Sequence, residues 1–297
     1  MNYAYNSHMA PNKIIVVGST GFLGSEIMNS LKNSDYQIAE LNRKDPIWNL
    51  STGISSKLME AEQVIWSASR VNPLRAVTHP EEADIDLKEF IEVIEEMEKS
   101  KNLQKFVFLS SGGCAYSGTS APFTEFDPAE GNNPYGKLKS TMESTLFESS
   151  LPYLVLRVAN VYGPKQPTGR GQGVIAEWVS AINQGLSPSL IGPSSYSRDF
   201  IYISDFVEAI HSVIRSKIDR EIINIGSGVP TSLDDIMMIF SELTECSFEV
   251  KQLQPRSIDR PHYWLDISKA EKLLNWGPKT CIRNGIQACL NTLELTP

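Results

Sequence analysis

The stretch KIIVVGSTGFLGSEIMNSL, residues 13 to 31, decides the fold of this chain. It begins with a continuous apolar run containing β-branched residues, which is typical of a strand buried in a parallel sheet. Gly18, Gly21 and Gly24 follow directly, and apolar residues then recur every four positions, as on one face of a helix. A strand that enters a helix through such a glycine loop predicts a backbone site for a dinucleotide pyrophosphate, although a tight turn without a ligand is the alternative.

Strand and helix signals continue to alternate through the first half of the chain. Apolar runs at 36–42, 63–69, 105–111 and 153–160 indicate further strands, with helical segments between most of them. This order predicts right-handed crossovers and a Rossmann doubly wound parallel sheet of the α/β class. Past residue 165 the sequence is richer in Gly, Pro and Ser loops and short helices. We therefore expect a dinucleotide-binding domain over 12–165 and a smaller C-terminal α/β substrate lobe over 166–297, with some strands and helices shared.

Composition argues against several classes of function. The 297 residues carry a net charge of -8 without a basic patch, so we expect no nucleic-acid partner. The 4 cysteines and 4 histidines show no metal-ligand spacing, so no metal site is predicted. No apolar run reaches the roughly 20 residues that cross a bilayer, and the N-terminal residues lack a signal-peptide pattern. We expect a cytoplasmic protein without a membrane partner.

The residues after the second strand bear on the choice of cofactor. A carboxylate there would bind the adenosine ribose and favour NAD, but the sequence has Asn42 followed by Arg43 and Lys44. A neutral residue and two cations suit a 2′-phosphate, so NADP(H) is favoured and NAD(H) is possible. The alternative is that both cations are solvated at the surface.

A second motif, PYGKLK at 134–139, follows the strand candidate that ends in LSSGGCAY, 109–116. It should open a helix, because proline is favourable in a first turn, and Tyr135 and Lys139 then lie on one face. A free phenol titrates near ~10, and both a neighbouring ammonium and an oxidised nicotinamide favour its ionised form. Tyr135 can then exchange the proton of a carbinol while hydride moves to or from the cofactor. The alternative is an amphipathic helix with an exposed lysine.

Five segments together resemble one family: GSTGFLG, LSSGGCAYSG, PYGKLK, LRVANVYGP and RDFIYISD. They are similar to the extended short-chain dehydrogenase/reductases of the NAD-dependent epimerase/dehydratase type, and the resemblance spans residues 13 to about 290. It implies a Rossmann domain for the cofactor and a C-terminal lobe for a nucleotide-diphosphate sugar. It also implies a homodimer joined through helices that include the one carrying Tyr135.

The resemblance also implies roles for individual residues. It makes Tyr135 the catalytic acid or base and Lys139 its partner, with two arginines on the diphosphate and Asp259 on the ribose. The expected cofactor contacts are Gly18, Thr20, Gly21, Phe22, Leu23, Gly24, Asn42, Arg43, Lys44, Asn49, Leu50, Ser67, Ala68, Ser69, Tyr135, Lys139 and Val158. The expected substrate contacts are Asn160, Val174, Arg198, Arg256 and Asp259.

The chain departs from the family pattern in the segment LSSGGCAY, 109–116. The family places Ser or Thr four residues before a YG-type tyrosine, and that position, counted back from Tyr116, is Gly112. We predict that Ser111 takes over the hydrogen bond to the reacting carbonyl, unless it only caps the end of the strand. The family's 4,6-dehydratases carry an Asp-Glu pair where this chain has Gly113 and Cys114, which argues against a dehydratase.

Three functions stay open at this point. The favoured one is reduction of the C4 ketone of a nucleotide 4-keto-sugar with NAD(P)H, with Tyr135 as proton donor. The alternative is an NAD-dependent 4-epimerase, which oxidises C4, rotates the keto-sugar and reduces it again from the other face. A non-catalytic dinucleotide-binding regulator is a weaker alternative, since a binding protein needs no phenolate.

Overall fold

The computed structural model describes residues 13–49, 53–245 and 249–292. The strands are β1 (Lys13–Val17), β2 (Gln37–Leu41), β3 (Trp48–Asn49), β4 (Gly53–Ile54), β5 (Gln63–Trp66), β6 (Lys105–Ser111), β7 (Tyr153–Val158), β8 (Asn160–Tyr162), β9 (Ser189–Ile191), β10 (Ser197–Tyr202), β11 (Glu221–Ile225), β12 (Pro230–Ser232) and β13 (Lys251–Leu253). The helices are α1 (Phe22–Leu31), α2 (Ser56–Met59), α3 (Arg75–Thr78), α4 (Pro80–Met97), α5 (Pro134–Glu148), α6 (Val174–Asn183), α7 (Ile203–Arg215), α8 (Leu233–Thr244), α9 (Ser268–Leu274) and α10 (Ile282–Asn291).

The centre of the fold is a 6-stranded sheet in the order β11-β7-β6-β5-β1-β2. Every neighbouring pair in it is parallel. The chain runs from β1 to β2 on one side and then returns to β5 on the other, so the strand order reverses beside β1. Ligands of open α/β sheets bind at such a switch point, outside the carboxyl ends of the strands. The predicted Rossmann doubly wound α/β class is confirmed.

The sheet is buried on both faces because successive strand side chains point to opposite sides. Phe106 and Phe108 of β6 join the core under α4 and α5, and the rings of Phe108 and Phe90 lie 5.0 Å apart. Val107 and Leu109 join the opposite core with α1 and α7. Both faces therefore require apolar side chains, which explains the continuous apolar runs in the sequence.

The C-terminal part of the chain adds smaller sheets to this frame. One has 3 strands in the order β12-β10-β8, and another pairs β13 with β9. Trp178, Phe240 and Ile286 centre a third hydrophobic core between α6, α8 and α10. The edge strand β11 lies after residue 165. The large sheet therefore combines five strands that precede this position with one that follows it. Within the described ranges, no helix is both long and apolar enough to cross a membrane.

A buried ion pair connects α5 to the sheet. The side chains of Glu143 and Arg157 are 2% and 3% exposed, and Arg157 Nη2 lies 2.7 Å from Glu143 Oε2. Ser110 of β6 also donates to Glu143, and the Arg157 guanidinium lies 4.7 Å from the centre of the Tyr116 ring. Two strands are thereby joined to the helix that begins with the predicted catalytic motif.

Removing one partner of this pair should destabilise the fold strongly. Arg157→Met leaves Glu143 buried without its cation, so we expect the free energy of unfolding to fall by about 3–5 kcal/mol. Urea denaturation followed by circular dichroism measures the change. The matched control is Arg283→Met, because the Arg283–Glu242 pair is about half exposed and its loss should cost under about 1 kcal/mol. Equal effects of the two substitutions would contradict an anchoring role for the buried pair.

Candidate active site

The glycine loop after β1 has the conformation that an anion site needs. Gly18 has a φ of 88°, in the left-handed region that favours glycine. Its N–H donates to the carbonyl of Leu41 at 2.8 Å, and its carbonyl accepts from Gly21 N–H at 3.0 Å. Gly21 then caps α1. The first N–H groups of a helix have no helical acceptor and carry partial positive charge, so this end of α1 can bind an anion.

The space around the loop also fits a dinucleotide. A Cβ added to Gly24 would lie 2.2 Å from the carbonyl oxygen of Gly18, and one on Gly18 would lie 2.7 Å from the backbone nitrogen of Ala68. Gly24 therefore allows α1 to approach the backbone of Gly18, and Gly18 allows the loop after β1 to approach the backbone of Ala68. At Gly21 the only described atom near an added Cβ is the Gly18 oxygen, at 3.3 Å. The outer side of the loop is thus open, and Thr20 and Gly21 are exposed on it.

The segment after β2 places two cations beside this loop. Asn42 Nδ2 donates to Ser19 Oγ at 3.1 Å, and Asn42 Oδ1 accepts from Lys44 N–H at 2.9 Å. The side chains of Arg43 and Lys44 are exposed and pair with no carboxylate among the described residues. Both cations are available to an anion at the ribose end of the cofactor site. Of the next two predicted contacts, only the backbone of Asn49 is described and Leu50 lies outside the described residues.

The loop after β5 reveals a residue that the sequence analysis missed. Ser67 Oγ donates to the carbonyl of Val17 at 2.8 Å, whereas Ser69 Oγ donates to Asp86 Oδ2 at 2.8 Å. Asp86 also accepts from Arg70 N–H at 2.7 Å and is 7% exposed. Helix α4 is rich in acidic residues, and such residues usually face solvent. Asp86 stands one turn before the buried Phe90, and this spacing was the available signal.

The start of α5 is fixed by a side-chain cap. Asn133 is the N-cap, and its side chain accepts from Gly136 N–H at 2.9 Å. Pro134 occupies the first turn, where its missing N–H has no cost. This cap sets the direction in which Tyr135 leaves the helix, at the carboxyl edge of the sheet.

Tyr135 and Lys139 meet at this edge as the sequence spacing requires. Lys139 Nζ lies 5.6 Å from the centre of the Tyr135 ring and 4.8 Å from that of Phe108. It donates to the carbonyl of Leu109 at 3.2 Å and is 3% exposed, whereas Tyr135 is half-buried. The ammonium is therefore held in an aromatic and largely apolar environment one turn from the phenol.

Burial changes the ionisation of both groups. It raises the pKa of Tyr135, and the Cys114 thiol and the Asp86 carboxylate add to the rise. Burial lowers the pKa of Lys139 to about 8, although Asp86 and Glu143 oppose the decrease. Near pH 7, Lys139 is mostly an ammonium and Tyr135 is a neutral phenol. A second positive charge beside the phenol would be required to ionise it.

Arg198 is held in place on β10 with donors to spare. Its Nη1 donates to the carbonyls of Ser197 at 3.0 Å and Pro261 at 2.8 Å. Its guanidinium carbon lies 5.5 Å from the centre of the Tyr196 ring and 5.6 Å from that of Tyr263. Its Nε and Nη2 donate to no described residue. A fixed guanidinium with unused donors is suited to bind a phosphate or carboxylate.

Arg256 and Asp259 bind each other rather than facing an open cleft. Arg256 Nη2 lies 2.7 Å from Asp259 Oδ1, and Arg256 Nη1 donates to the carbonyl of Gly171 at 2.5 Å. Burial raises the pKa of Asp259, but the hydrogen bonds that Asp259 accepts from Arg256 outweigh this effect and hold the pKa below its ordinary value. Asn160 lies on β8 opposite Phe200 of β10, the strand that also carries Arg198.

The end of β6 brings together the remaining predicted residues. Ser111 pairs in register with Val158 of β7, and it opposes the rise that burial causes in the pKa of the Cys114 thiol. Asn133 Nδ2 also donates to Cys114 Sγ at 3.4 Å. Val174 is half-buried at the start of α6. In the described ranges, no three His, Cys, Asp or Glu residues are placed to hold a metal ion.

A dinucleotide cradle and a tyrosine–lysine pair at one edge of a Rossmann sheet define a nicotinamide-dependent type of site. The model of the NAD dependent epimerase/dehydratase family matches residues 14–226. The chain belongs to this family, which confirms the resemblance seen in the sequence. The prediction of an NAD(P)-dependent enzyme is confirmed with it.

Similar proteins cover nearly the whole chain. A putative UDP-glucose 4-epimerase of Methanocaldococcus jannaschii is 29% identical over 95% of this chain and 98% of its own length. A dTDP-4-dehydro-6-deoxyglucose reductase of Escherichia coli is 24% identical over 95% of the chain and 98% of its own. The crystal structure of Thermotoga maritima UDP-glucose 4-epimerase with UDP-glucose has a TM-score of 0.82 and 27% identity, covering 95% of this chain and 99% of that one.

The buried ammonium of Lys139 should make stability depend on pH in a definite direction. Its pKa is about 8 in the fold and about 10.4 in an unfolded chain, so the unfolded state binds more protons between these values. Stability from this group therefore rises with pH across that window, by about 3 kcal/mol in total. Measurements at pH 7 and pH 10 cover most of this window, so urea denaturation should show wild type gaining about 2.5 kcal/mol relative to Lys139→Met. A constant difference between the two proteins would place Lys139 in contact with water.

Proposed function

We propose that the chain is a nucleotide-sugar 4-epimerase that uses NAD(H). The observation that carries the proposal is the phenol of Tyr135, one helical turn from the buried ammonium of Lys139. A nicotinamide cofactor held by the glycine loop of Gly18, Gly21 and Gly24 would supply hydride transfer from and to C4 of the sugar. The putative Methanocaldococcus jannaschii epimerase and the Thermotoga maritima epimerase are 29% and 27% identical to the chain, against 24% for the reductase, which supports this function over net reduction.

Tyr135 would exchange the proton of the C4 oxygen in both directions. Its raised pKa keeps the phenol protonated, so it can donate when a ketone is reduced. The Lys139 ammonium stabilises the phenolate when the proton of a hydroxyl is taken. An epimerase needs both directions at one site because its substrate is first oxidised and then reduced.

A nucleotide-diphosphate sugar is the substrate that the C-terminal residues suit. Arg198 has the unused Nε and Nη2 donors that a diphosphate could accept. Arg256 would join it on the diphosphate and Asp259 on the ribose, which requires their ion pair to open or to share the ligand. Asn160 and Val174 would line the sugar side. A uridine nucleotide is our first candidate, since UDP-glucose is bound by the similar Thermotoga maritima enzyme.

A 4-ketoreductase that uses NADPH is the second candidate. Arg43 and Lys44 are exposed without carboxylate partners, and the residue directly after β2 is the neutral Asn42. The nearest acid, Asp45, is already paired with Lys57. This arrangement favours a 2′-phosphate. The similar dTDP-4-dehydro-6-deoxyglucose reductase shows that a reductase also belongs among the relatives of nearly full length.

The homodimer that the resemblance implies would use α4 and α5. These helices pack against each other and leave Ile85 45% and Phe147 36% exposed. A second copy would cover such apolar side chains, and we include the dimer in the proposal.

The reaction type can be tested with purified protein and UDP-, dTDP- and GDP-sugars. Interconversion of two sugars without net cofactor change supports the epimerase, whereas stoichiometric loss of NADPH absorbance supports the reductase. Tyr135→Phe should lower kcat by about 10²–10⁴-fold, the range of general acid–base catalysis. Its cofactor affinity should stay close to that of wild type. The control is Tyr36→Phe, remote from this edge of the sheet; a fully active Tyr135→Phe enzyme would remove the assigned acid and base.

Cofactor preference is tested at Arg43. If Arg43 binds a 2′-phosphate, Arg43→Ala should weaken NADPH by about ten- to a hundredfold, because a hydrogen bond to a charged group is lost. NADH affinity should change little. Fluorescence titration of both reduced cofactors measures the effect, and Lys32→Ala at the far end of α1 is the control. Equal losses for NADH and NADPH would remove the basis for the NADPH-dependent reductase.

A further inference from the structure

The two glycines after β6 are in contact with one segment of the C-terminal lobe. A Cβ added to Gly112 would lie 2.7 Å from Leu265 Cδ1, and one added to Gly113 would lie 2.8 Å from both Cζ and Oη of Tyr263. The place where the family carries a Ser or Thr side chain, at position 112, is therefore filled by Leu265. A side chain at Gly113 would likewise overlap the phenol of Tyr263.

Backbone hydrogen bonds hold this segment in position. Tyr263 N–H donates to the carbonyl of Ser197 at 3.2 Å. Leu265 N–H donates at 3.1 Å to Oδ2 of Asp199, a fully buried carboxylate that also accepts from Ser227. The segment is thus fixed to β10, the strand that carries Arg198. The backbone that carries Tyr263 cannot be moved away from Gly113 without breaking these bonds.

The Tyr263 hydroxyl has no hydrogen-bond partner among the described residues, although its residue is only 4% exposed. It is not surrounded by apolar atoms alone, since the Arg198 guanidinium lies 5.6 Å from its ring. Gly113 lies against the Tyr263 hydroxyl, and the next residue lies against the start of α5, since a Cβ added to Gly136 would lie 2.0 Å from the carbonyl oxygen of Cys114. Residues 113 and 114 therefore lie between Tyr263 and the first turn of the helix that carries Tyr135. Burial raises the pKa of Tyr263, so its hydroxyl keeps a proton to donate at neutral pH.

Ser111 is the competing donor for the same role. It ends β6, and it lies close enough to Cys114 to oppose the rise that burial causes in the pKa of that thiol. Ser110 next to it faces α5, where it donates to Glu143. Neither serine occupies position 112, and the side chains that contact the two glycines are Leu265 and Tyr263. Removing each hydroxyl in turn therefore distinguishes Ser111 from Tyr263.

We propose that the hydroxyl of Tyr263 donates the hydrogen bond to the reacting sugar oxygen, in place of the Ser or Thr that position 112 lacks. The inference depends on the proposed function, because it assigns a second donor to the same sugar site. A neutral phenol in a buried site stabilises negative charge that develops on this oxygen, as other preorganised donors do. The two glycines are what allow a ring from the C-terminal lobe to reach the end of β6.

The test is Tyr263→Phe, which removes one oxygen and keeps the ring that packs on Gly113. Rates are measured on the full chain with the sugar nucleotide identified in the reaction screen. We expect kcat to fall by about 10²-fold with little change in KM, the typical effect of losing one such donor. Ser111→Ala should lower kcat less than Tyr263→Phe. The reverse order would assign the role to Ser111 and overturn the inference.

Tyr196→Phe is the matched control, since its ring flanks Arg198 on the other side. An equal fall in kcat for Tyr196→Phe, or a Tyr263→Phe effect confined to KM, would reduce Tyr263 to packing or ground-state binding. Tyr135→Phe measured in parallel distinguishes a failure of the proposed function from a failure of this inference. An active Tyr135→Phe enzyme contradicts the proposed function, whereas an inactive one beside a fully active Tyr263→Phe contradicts only this inference.

Restoring the family hydroxyl provides a gain-of-function test. In the Tyr263→Phe background, Leu265→Ala opens the space beside Gly112, and Gly112→Ser then fills it with a hydroxyl. We expect the triple variant to recover kcat by about tenfold over Tyr263→Phe, and the Leu265→Ala/Tyr263→Phe double variant to show no recovery. A triple variant no faster than the double would contradict the claim that the Tyr263 oxygen replaces a hydroxyl at position 112.

Discussion

The catalytic edge of this protein depends on how α5 is held against the sheet. The helix carries Tyr135 and Lys139 in its first turns, and Glu143 one turn later forms a buried ion pair with Arg157 of β7. Two charges in such a site favour a single arrangement, because any shift of the helix would leave one of them unpaired in a medium of low polarity. The pair thus fixes in space the phenol of Tyr135, and the role proposed for this phenol requires a defined distance to a sugar oxygen.

Burial at this edge of the sheet opposes the ionisation of both Tyr135 and Lys139. Removing Tyr135 and Lys139 from water favours their neutral forms, which raises one pKa and lowers the other. Asp86 opposes the effect at Lys139 and strengthens it at Tyr135, so the carboxylate favours an ammonium beside an un-ionised phenol. The proton therefore stays on Tyr135 until another positive charge approaches. In the proposed reaction, the positive charge of an oxidised nicotinamide would favour ionisation of Tyr135, so proton exchange would be coupled to the oxidation state of the cofactor.

The sequence predicted the features that depend on local pattern. Strand–loop–helix order, the glycine loop and the Tyr135–Lys139 spacing all follow from residues close in the chain, and the structure has them at those positions. Contacts between distant segments could not be predicted in this way. Asp86 stands in an acidic helix, and only its packing under Ser69 distinguishes it from the solvated carboxylates around it. The contact of Arg256 with the carbonyl of Gly171 likewise joins residues 85 positions apart.

The end of β6 shows why an absent side chain is hard to interpret from sequence alone. Gly112 indicates that a family hydroxyl is missing, and the nearest replacement in the chain is Ser111. In the fold, the space beside the two glycines belongs to residues about 150 positions later, Tyr263 and Leu265. A glycine can thus mark the place where another segment enters, because backbone without a Cβ permits close approach. The effect of a substitution at Gly112 or Gly113 is therefore expected to depend on the residues present at 263 and 265, and the reverse also holds.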